Sequence, residues 1–336
     1  MFKEVIMRFF FVILFVSILS ANAQTEKIVI LDSGHNTSLR GLCVVNNNII
    51  WASGSNGTVV RSVDGGKNFE WITVNGYEQR DFRDIEAFNA DTAIIMAVAE
   101  PAVILKTKDG GKNWYKVFED RTKGMFLDAM DFYGKYGVVI GDPISNKLFL
   151  AKTNDNGEHW IVSDNDQLMA KGEAFFASSG TNIKIINTRH ANSSFYSFVS
   201  GGTKSIYYYR SISLPILQGK ESTGANSIDC YSEKKLIVVG GDFLHDKDTT
   251  GNCALSEDFG KTWSNPKVPP HGYRSCVEYI TEKKIITCGT SGVDISDDGG
   301  MNWQLISLQS FHVCQKAKKG DAVFLAGANG KIARLN

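Results

Sequence analysis

The sequence predicts an all-β fold, a seven-bladed β-propeller of four-stranded antiparallel blades, and three observations carry that expectation. A short motif recurs at a nearly fixed period. Between its copies lie runs of short apolar segments separated by Gly, Asn, Asp and Ser. No segment carries a sustained helical period, which excludes an α/β reading. The motif is Ser/Thr, any residue, Asp, any residue, Gly, then two residues on an aromatic. It stands at Ser62–Phe69, Thr107–Trp114, Thr153–Trp160, Ser256–Trp263 and Ser296–Trp303, with its aspartates at Asp64, Asp109, Asp155, Asp258 and Asp298. Those aspartates are 45, 46, 103 and 40 residues apart, so one degenerate copy is expected within the double-length gap. Self-similarity at such a period marks a stacked or circular repeat.

The first repeat shows the pattern. Leu39 to Val45 is apolar, Asn46-Asn47-Asn48 turns, and Ile49 to Ser53 is a second strand. Gly54 to Gly57 turns again, Thr58 to Val63 is a third strand, the Asp motif turns, and Phe69 to Val74 is a fourth. Four strands in 40 to 50 residues make one propeller blade. Later blades are expected over 82–118, 125–163, 173–217, 226–268 and 273–308. The 173–217 blade is the degenerate one: its strands Ile183–Ile186, Ser194–Ser200 and Ser205–Arg210 are legible, but the motif has eroded to Ser211-Ile212-Ser213. The last stretch has only three strands, Phe311–Ala317, Ala322–Ala326 and Lys331–Leu335. Lys27–Leu31, an apolar strand without a blade of its own, is expected to supply the fourth, closing the ring and covering two sheet edges.

The repeated motif has a local task. Its Asp accepts backbone N–H groups of its own turn, its glycines take backbone angles that other residues reach only with strain, and its aromatic ring is buried between neighbouring blades. A calcium ligand or catalytic carboxylate is the competing reading. Equivalent positions spaced around a ring do not converge on one site, so Asp64, Asp109, Asp155, Asp258 and Asp298 are read as structural, and no metal or other cofactor is expected.

Composition narrows the partners. Lys plus Arg and Asp plus Glu each number 36, so the net charge is zero and there is no electrostatic footprint for nucleic acid or an anionic membrane. At the N-terminus, Lys3 and Arg8 precede the apolar run Phe9–Leu19 and the small-residue stretch Ala21-Asn22-Ala23. That pattern predicts a cleaved secretory signal over 1–23, a single propeller over 24–336, and export to the periplasm or beyond. The apolar run is short for a membrane span, and no Cys follows the cleavage point. No transmembrane segment is expected in the mature chain, and a monomer is expected.

Export permits disulfides, and there are six cysteines. Cys43, Cys230, Cys276 and Cys314 fall on equivalent strands. If the Thr281 to Lys284 turn has an even number of residues, Cys276 pairs across from Gly289 and faces away from Cys288, and a bond between them is blocked. No Cys-x-x-Cys or Cys/His spacing points to zinc. Mostly free, buried thiols are expected.

Function is expected on the face opposite the Asp motifs, where the loops entering the inner strands and the loops joining second to third strands open at the channel mouth. The first set places Arg83, Asp84, Asp128, Glu173, Asn226, Tyr273, Arg274 and His312 there; the second offers Glu100, Asp142, Arg189, His190, Asp242 and Ser291. The insertion Phe243–Asn252 overhangs the same face. A wet loop face is polar in any propeller. Charges at strand ends are nonetheless held by a rigid scaffold, and arginines there can clamp a carboxylate or phosphate. Glu173, Asp128 or Asp142 could alternatively serve as acid and base of a glycosidase.

The five copies match the Asp-box (BNR) repeat of sialidase-like and sortilin-like propellers. Beyond the repeats, the mature chain resembles the photosystem II stability/assembly factor-like propellers nearly end to end. The resemblance rests on Asp81-Phe82-Arg83-Asp84, Phe126-Leu127-Asp128-Ala129-Met130, Gly141-Asp142-Pro143, Gly172-Glu173-Ala174-Phe175, Gly240-Gly241-Asp242, Gly272-Tyr273-Arg274-Ser275, Phe311-His312 and Gly330–Leu335. The photosynthetic members of that family bind a client protein during assembly, so the resemblance implies binding of a protein segment or small anionic ligand, without catalysis. Similarity to sialidases implies an alternative, in which Arg83, Arg189 and Arg274 form an arginine triad and Tyr273 is the nucleophile. The Phe-Arg-Ile-Pro hallmark is missing, since Asp84 follows Arg83. Family members are often labelled oxidoreductases, but the chain has no Gly-rich phosphate loop and no redox Cys pair.

Overall fold

The computed structural model describes residues 26–164, 167–187 and 194–336. The expected signal sequence, and Arg189 and His190, lie outside the described residues.

Among the described residues there is no α-helix, and every named strand pairs antiparallel to its neighbours. Five sheets have four strands each. Three of them, spanning 39–73, 82–120 and 127–162, run in simple chain order, as does 276–307. The fifth pairs Ile28–Asp32 with Ile332–Leu335, and through it with Val323–Ala326 and Val313–Lys316. The strand after the expected signal therefore completes the sheet at the end of the chain. A sixth sheet, centred on Thr223–Cys230, has five strands because Glu173–Ala174 and Gly201–Gly202 add to its inner edge.

These six sheets are propeller blades. The stretch 183–213 does not make a complete four-stranded sheet as the sequence suggests. It forms two short ladders, Ile183–Asn187 with Ser194–Phe198 and Ile206–Tyr207 with Ile212–Ser213. The cause is local: Ser211-Ile212-Ser213 has neither the Asp nor the glycine that builds the turn elsewhere, so the strands on either side pair for only two residues.

Where the motif is intact it folds alike each time. In one copy Thr107 Oγ1 donates to Asp109 Oδ1 (2.9 Å) and accepts the Gly111 N–H (3.0 Å), while Asp109 Oδ1 accepts the Asn113 N–H (2.9 Å). Asp64, Asp155, Asp258 and Asp298 make the same contacts. Bonds from the Asn68 and Asn113 backbone and side chains hold Asp64 and Asp109 at about 2, and Thr262 does so for Asp258. A Cβ on Gly111, at φ +90°, would stand 2.8 Å from Ile72 of the preceding blade, so the turn fits only as glycine. The Trp114 indole donates to the Gly111 carbonyl (3.0 Å), and its ring packs on residues of the 39–73 and 82–120 blades.

Blades join at their innermost strands, whose channel-side N–H groups have no ladder partner and must be satisfied otherwise. Side chains of the preceding blade do this. Asp84 accepts the Met130 N–H (2.7 Å), Asp131 that of Ile185 (2.6 Å) and Asp229 that of Tyr279 (2.7 Å). Gln315 accepts the Val44 N–H (2.7 Å), and Cys43 Sγ that of Ala87 (3.2 Å). Asp84, expected at the ligand mouth, is thus a blade-to-blade clasp. Burial pushes its carboxyl well above the usual carboxylate range.

All six cysteines are free. The turn after Tyr279 pairs it with Ile285, and Cys276 consequently stands directly opposite Cys288 rather than Gly289. The two side chains share a face, contrary to the even-turn expectation.

Candidate functional site

Residues 175–181 lie across the centre of the ring rather than forming an inner strand. Phe175 N–H donates to Asp142 (2.9 Å), Arg40 Nη1 to the Ser178 carbonyl (3.3 Å), Ser178 Oγ to Asn226 (3.0 Å) and Ser179 Oγ to the Ser275 carbonyl (2.7 Å). A Cβ on Gly180 would fall 2.4 Å from the Asp84 carboxyl. Contacts to five blades make this segment a plug. On one side of it is a cavity of about 460 Å³ bordered by Ala177 and Ser178; on the other is one of about 280 Å³ bordered by Ser179 and Gly180.

The larger cavity brings together four of the expected residues, Arg83, Asp142, Tyr273 and His312, with Arg40 and an apolar wall that includes Phe126, Phe176 and Phe243. Four inner strands carry a β-bulge at their start, flanking Arg40, Arg83, Asp128 and Asn226 in turn. Bulges re-aim a side chain, and here they place like positions of successive blades at the mouth. Arg40 was not among the expected residues. Its signal was present: Leu39-Arg40-Gly41 aligns with Phe82-Arg83-Asp84 when the first two repeats are superposed.

The electrostatics of the cavity are cationic. Arg83 is paired with Asp81 (2.7 Å), but among the described residues Arg40 makes no ion pair and bonds only the Ser178 carbonyl. Burial, and then the like charge of Arg83, lower its affinity for its proton. His312, held by Ser38 Oγ (3.1 Å), is driven down to about 3 by burial and by Arg40, Arg83 and Lys331. It is therefore neutral at physiological pH. Asp142 anchors the plug, and burial raises its carboxyl. Asp128 is fully buried with neither carboxylate oxygen in a hydrogen bond; burial and the charge of Asp142 push it well above the usual range, against the pull of Arg83.

The other expected residues are drawn elsewhere. Arg274 is fully buried, donating Nε to Asp294 (2.7 Å) and Nη1 to the Tyr273 carbonyl (2.7 Å) and Ser291 (2.8 Å). Glu173 is buried on the Ala170 N–H (2.8 Å), the Tyr208 hydroxyl (2.7 Å) and Ser200. Asp242 caps its loop, accepting the Leu244 N–H (3.0 Å) and binding His245 (2.9 Å). The arginine triad of a sialidase is not assembled by Arg83 and Arg274. Tyr273 donates to Asn226 (2.8 Å) rather than to a carboxylate, and burial pushes its hydroxyl up to about 12, which leaves it a poor nucleophile. Among the described residues no three His, Cys, Asp or Glu side chains are grouped to hold a metal ion, and no helix is long and apolar enough to cross a membrane.

No protein-family model matches the chain. It is 24% identical over 290 residues to the photosystem II assembly lipoprotein Ycf48 of Synechococcus sp. (strain CC9902), across 84% of this chain and 80% of that protein. The chain is a β-propeller that resembles the photosystem II assembly factors. Among solved structures, YCF48 from Cyanidioschyzon merolae covers 92% of this chain and 98% of its own at a TM-score of 0.63 and 15% identity. A structure of YCF48 bound to D1 peptide covers 92% and 96%, with a TM-score of 0.59 and 16% identity. The WD40 propeller domain of Doa1 superposes as well, at a TM-score of 0.61 with 11% identity. The structural likeness thus speaks to the fold, and the sequence match to a resemblance with the assembly factors.

Proposed function

We propose that the cavity under Arg40 and Arg83 binds an anionic group, foremost a carboxylate of a protein segment, and that the protein is a non-catalytic accessory or assembly factor. The observation that carries this reading is Arg40, a half-buried guanidinium with a like-charged neighbour and no ion-pair partner among the described residues. A partly desolvated cation in that state is stabilised by an arriving anion, and guanidinium groups favour carboxylates. Phe126, Phe176 and Phe243 offer apolar contact beside the charge, as a peptide requires and a bare ion does not. The structure of YCF48 with D1 peptide supports a protein segment as the guest.

The same reading places the protein outside the cytoplasm as a monomer, its signal removed after Ala23 and residues 24–336 forming one domain. It takes 183–213 as a seventh, broken blade, its two ladders joined by the Val199–Tyr207 bridge.

Crosslinking and recovery of partners from the native envelope, with wild type and Arg40→Ala/Arg83→Ala compared, tests the proposal. Loss of specific partners in the double variant is the expected result. An unchanged partner set removes the site, and turnover of a fluorogenic sialoside that Tyr273→Phe abolishes would establish an enzyme instead.

A further inference from the structure

A second surface lies on the rim, where 183–213 breaks into two ladders. The Ser194–Phe198 strand is paired along one edge with Ile183–Asn187. On its other edge the covering chain makes contact only from Phe198 onward, where the Tyr208 N–H reaches the Phe198 carbonyl (2.8 Å) and Val199 bridges Tyr207. Strand polarity alternates, so the Tyr196 N–H and C=O point outward with the Phe198 carbonyl. Among the described residues no strand covers them. The neighbouring blade ends beside this gap in an outer strand of only two residues, Ile161–Val162, both exposed.

The gap is a groove. Tyr136, Lys152, Ile161, Phe195 and Tyr196 line a cavity of about 440 Å³. Past Phe195 and Tyr196 it continues into another of about 330 Å³ reaching Tyr209. Among the described residues no Asp or Glu lines either part. Instead, cations lie on exposed or half-buried rings: Lys135 is 5.5 Å from the Tyr136 centroid, Lys152 4.8 Å from Tyr196, and Arg210 5.4 Å from Tyr209 and 5.2 Å from Phe259. None of these three cations has a carboxylate partner among the described residues.

We propose that this groove takes an extended, acidic segment of a partner protein as an added strand along Tyr196. Strand addition supplies the missing backbone partners, and its period of two separates the guest's side chains into two sets. One set faces Tyr136, Tyr196 and Lys152, and the other faces Phe195, Tyr209 and Arg210, so each face offers aromatic contact beside a cation. The guest is thus a short extended run that combines Asp or Glu with apolar residues. The site is separate from the channel mouth and uses none of its residues.

Random dodecapeptides displayed on phage, panned on the full chain, test this directly. Selected peptides are expected to combine acidic and apolar residues. As synthetic peptides, their Kd should rise about tenfold or more with Lys152→Glu or Arg210→Glu and weaken with added salt. Arg40→Ala/Arg83→Ala should leave Kd unchanged, which separates this groove from the mouth, and thermal melts confirm that each variant is folded. Peptides without acidic enrichment, no selected peptides at all, or affinities indifferent to Lys152→Glu and Arg210→Glu in folded protein would overturn the proposal.

Discussion

Arg274 and Asp294 form an ion pair in which both side chains are wholly excluded from solvent. The guanidinium also fastens the Tyr273 carbonyl and Ser291, so one side chain ties the strand that enters the 276–307 blade to the strands behind it. Removing one member of a buried pair leaves the other charge uncompensated. Arg274→Ala is therefore expected to lower unfolding free energy by about 3–5 kcal/mol, measured by urea denaturation. A folded variant of normal stability with altered ligand binding would return Arg274 to the mouth.

His312 makes stability depend on pH in a direction that can be worked out. Its folded value, about 3, lies below its ordinary value of 6.5, so the unfolded chain binds the proton more readily. Its contribution is complete above pH 6.5 and is lost as pH falls toward about 3. His312→Asn removes that loss. The melting temperature of wild type should fall relative to the variant between pH 7 and pH 4. The raised carboxyls of Asp84 and Asp128 act in the opposite sense but are common to both proteins and cancel in the difference. Parallel melting curves would show that His312 is not buried as described.

Asp84 and Arg83 are adjacent in sequence and are expected to separate completely in their effects. Asp84→Ala strands the Met130 N–H in a dry interface, at a cost of about 1–3 kcal/mol in stability, and should leave ligand affinity at the mouth unchanged. Arg83→Ala, at a half-exposed residue lining the cavity, should weaken anion binding with little change in melting temperature. Isothermal titration and thermal melts of both variants read the two effects side by side.

The architecture was legible because the Asp motif is a local structure, and its spacing counts blades whatever lies between the copies. The eroded copy could be located from the same spacing. Its consequence could not: the loss of Asp and Gly around Ser211 says that a turn is missing, not that the strands beside it will pair for two residues and leave Tyr196 uncovered. At the mouth, Arg83, Asp142, Tyr273 and His312 were legible as strand-end residues, and Arg40 would have been with the repeats superposed. The burial of Arg274, Glu173 and Asp242 was not, because their partners Asp294, Tyr208 and His245 are set by strand parity and loop closure. The plug was illegible for the same reason, since an inner strand and a crossing segment read alike at Phe175–Thr181.

Strand parity also decides the cysteines. Cys276 faces Cys288 across the ladder and donates to the Cys314 carbonyl on the neighbouring blade (3.3 Å). Burial pushes Cys43 and Cys230 up to about 12, and raises Cys253, Cys288 and Cys314 as well. Cys276 is the exception: against its own burial, the Cys288 and Cys314 thiols and the Thr181 hydroxyl draw it down. It has no exposed surface, so access limits its reaction. Iodoacetamide at pH 8 is expected to modify no residue of the native protein other than half-buried Cys230, and all six in denaturant, counted by mass spectrometry. Rapid native labelling of Cys276 would show that the blade interface opens. A denatured count of four, with Cys276 and Cys288 protected until reduction, would show that the facing pair closes into a disulfide, since residues opposed on an antiparallel ladder stand about 4.5–5.5 Å apart at Cα, within disulfide range.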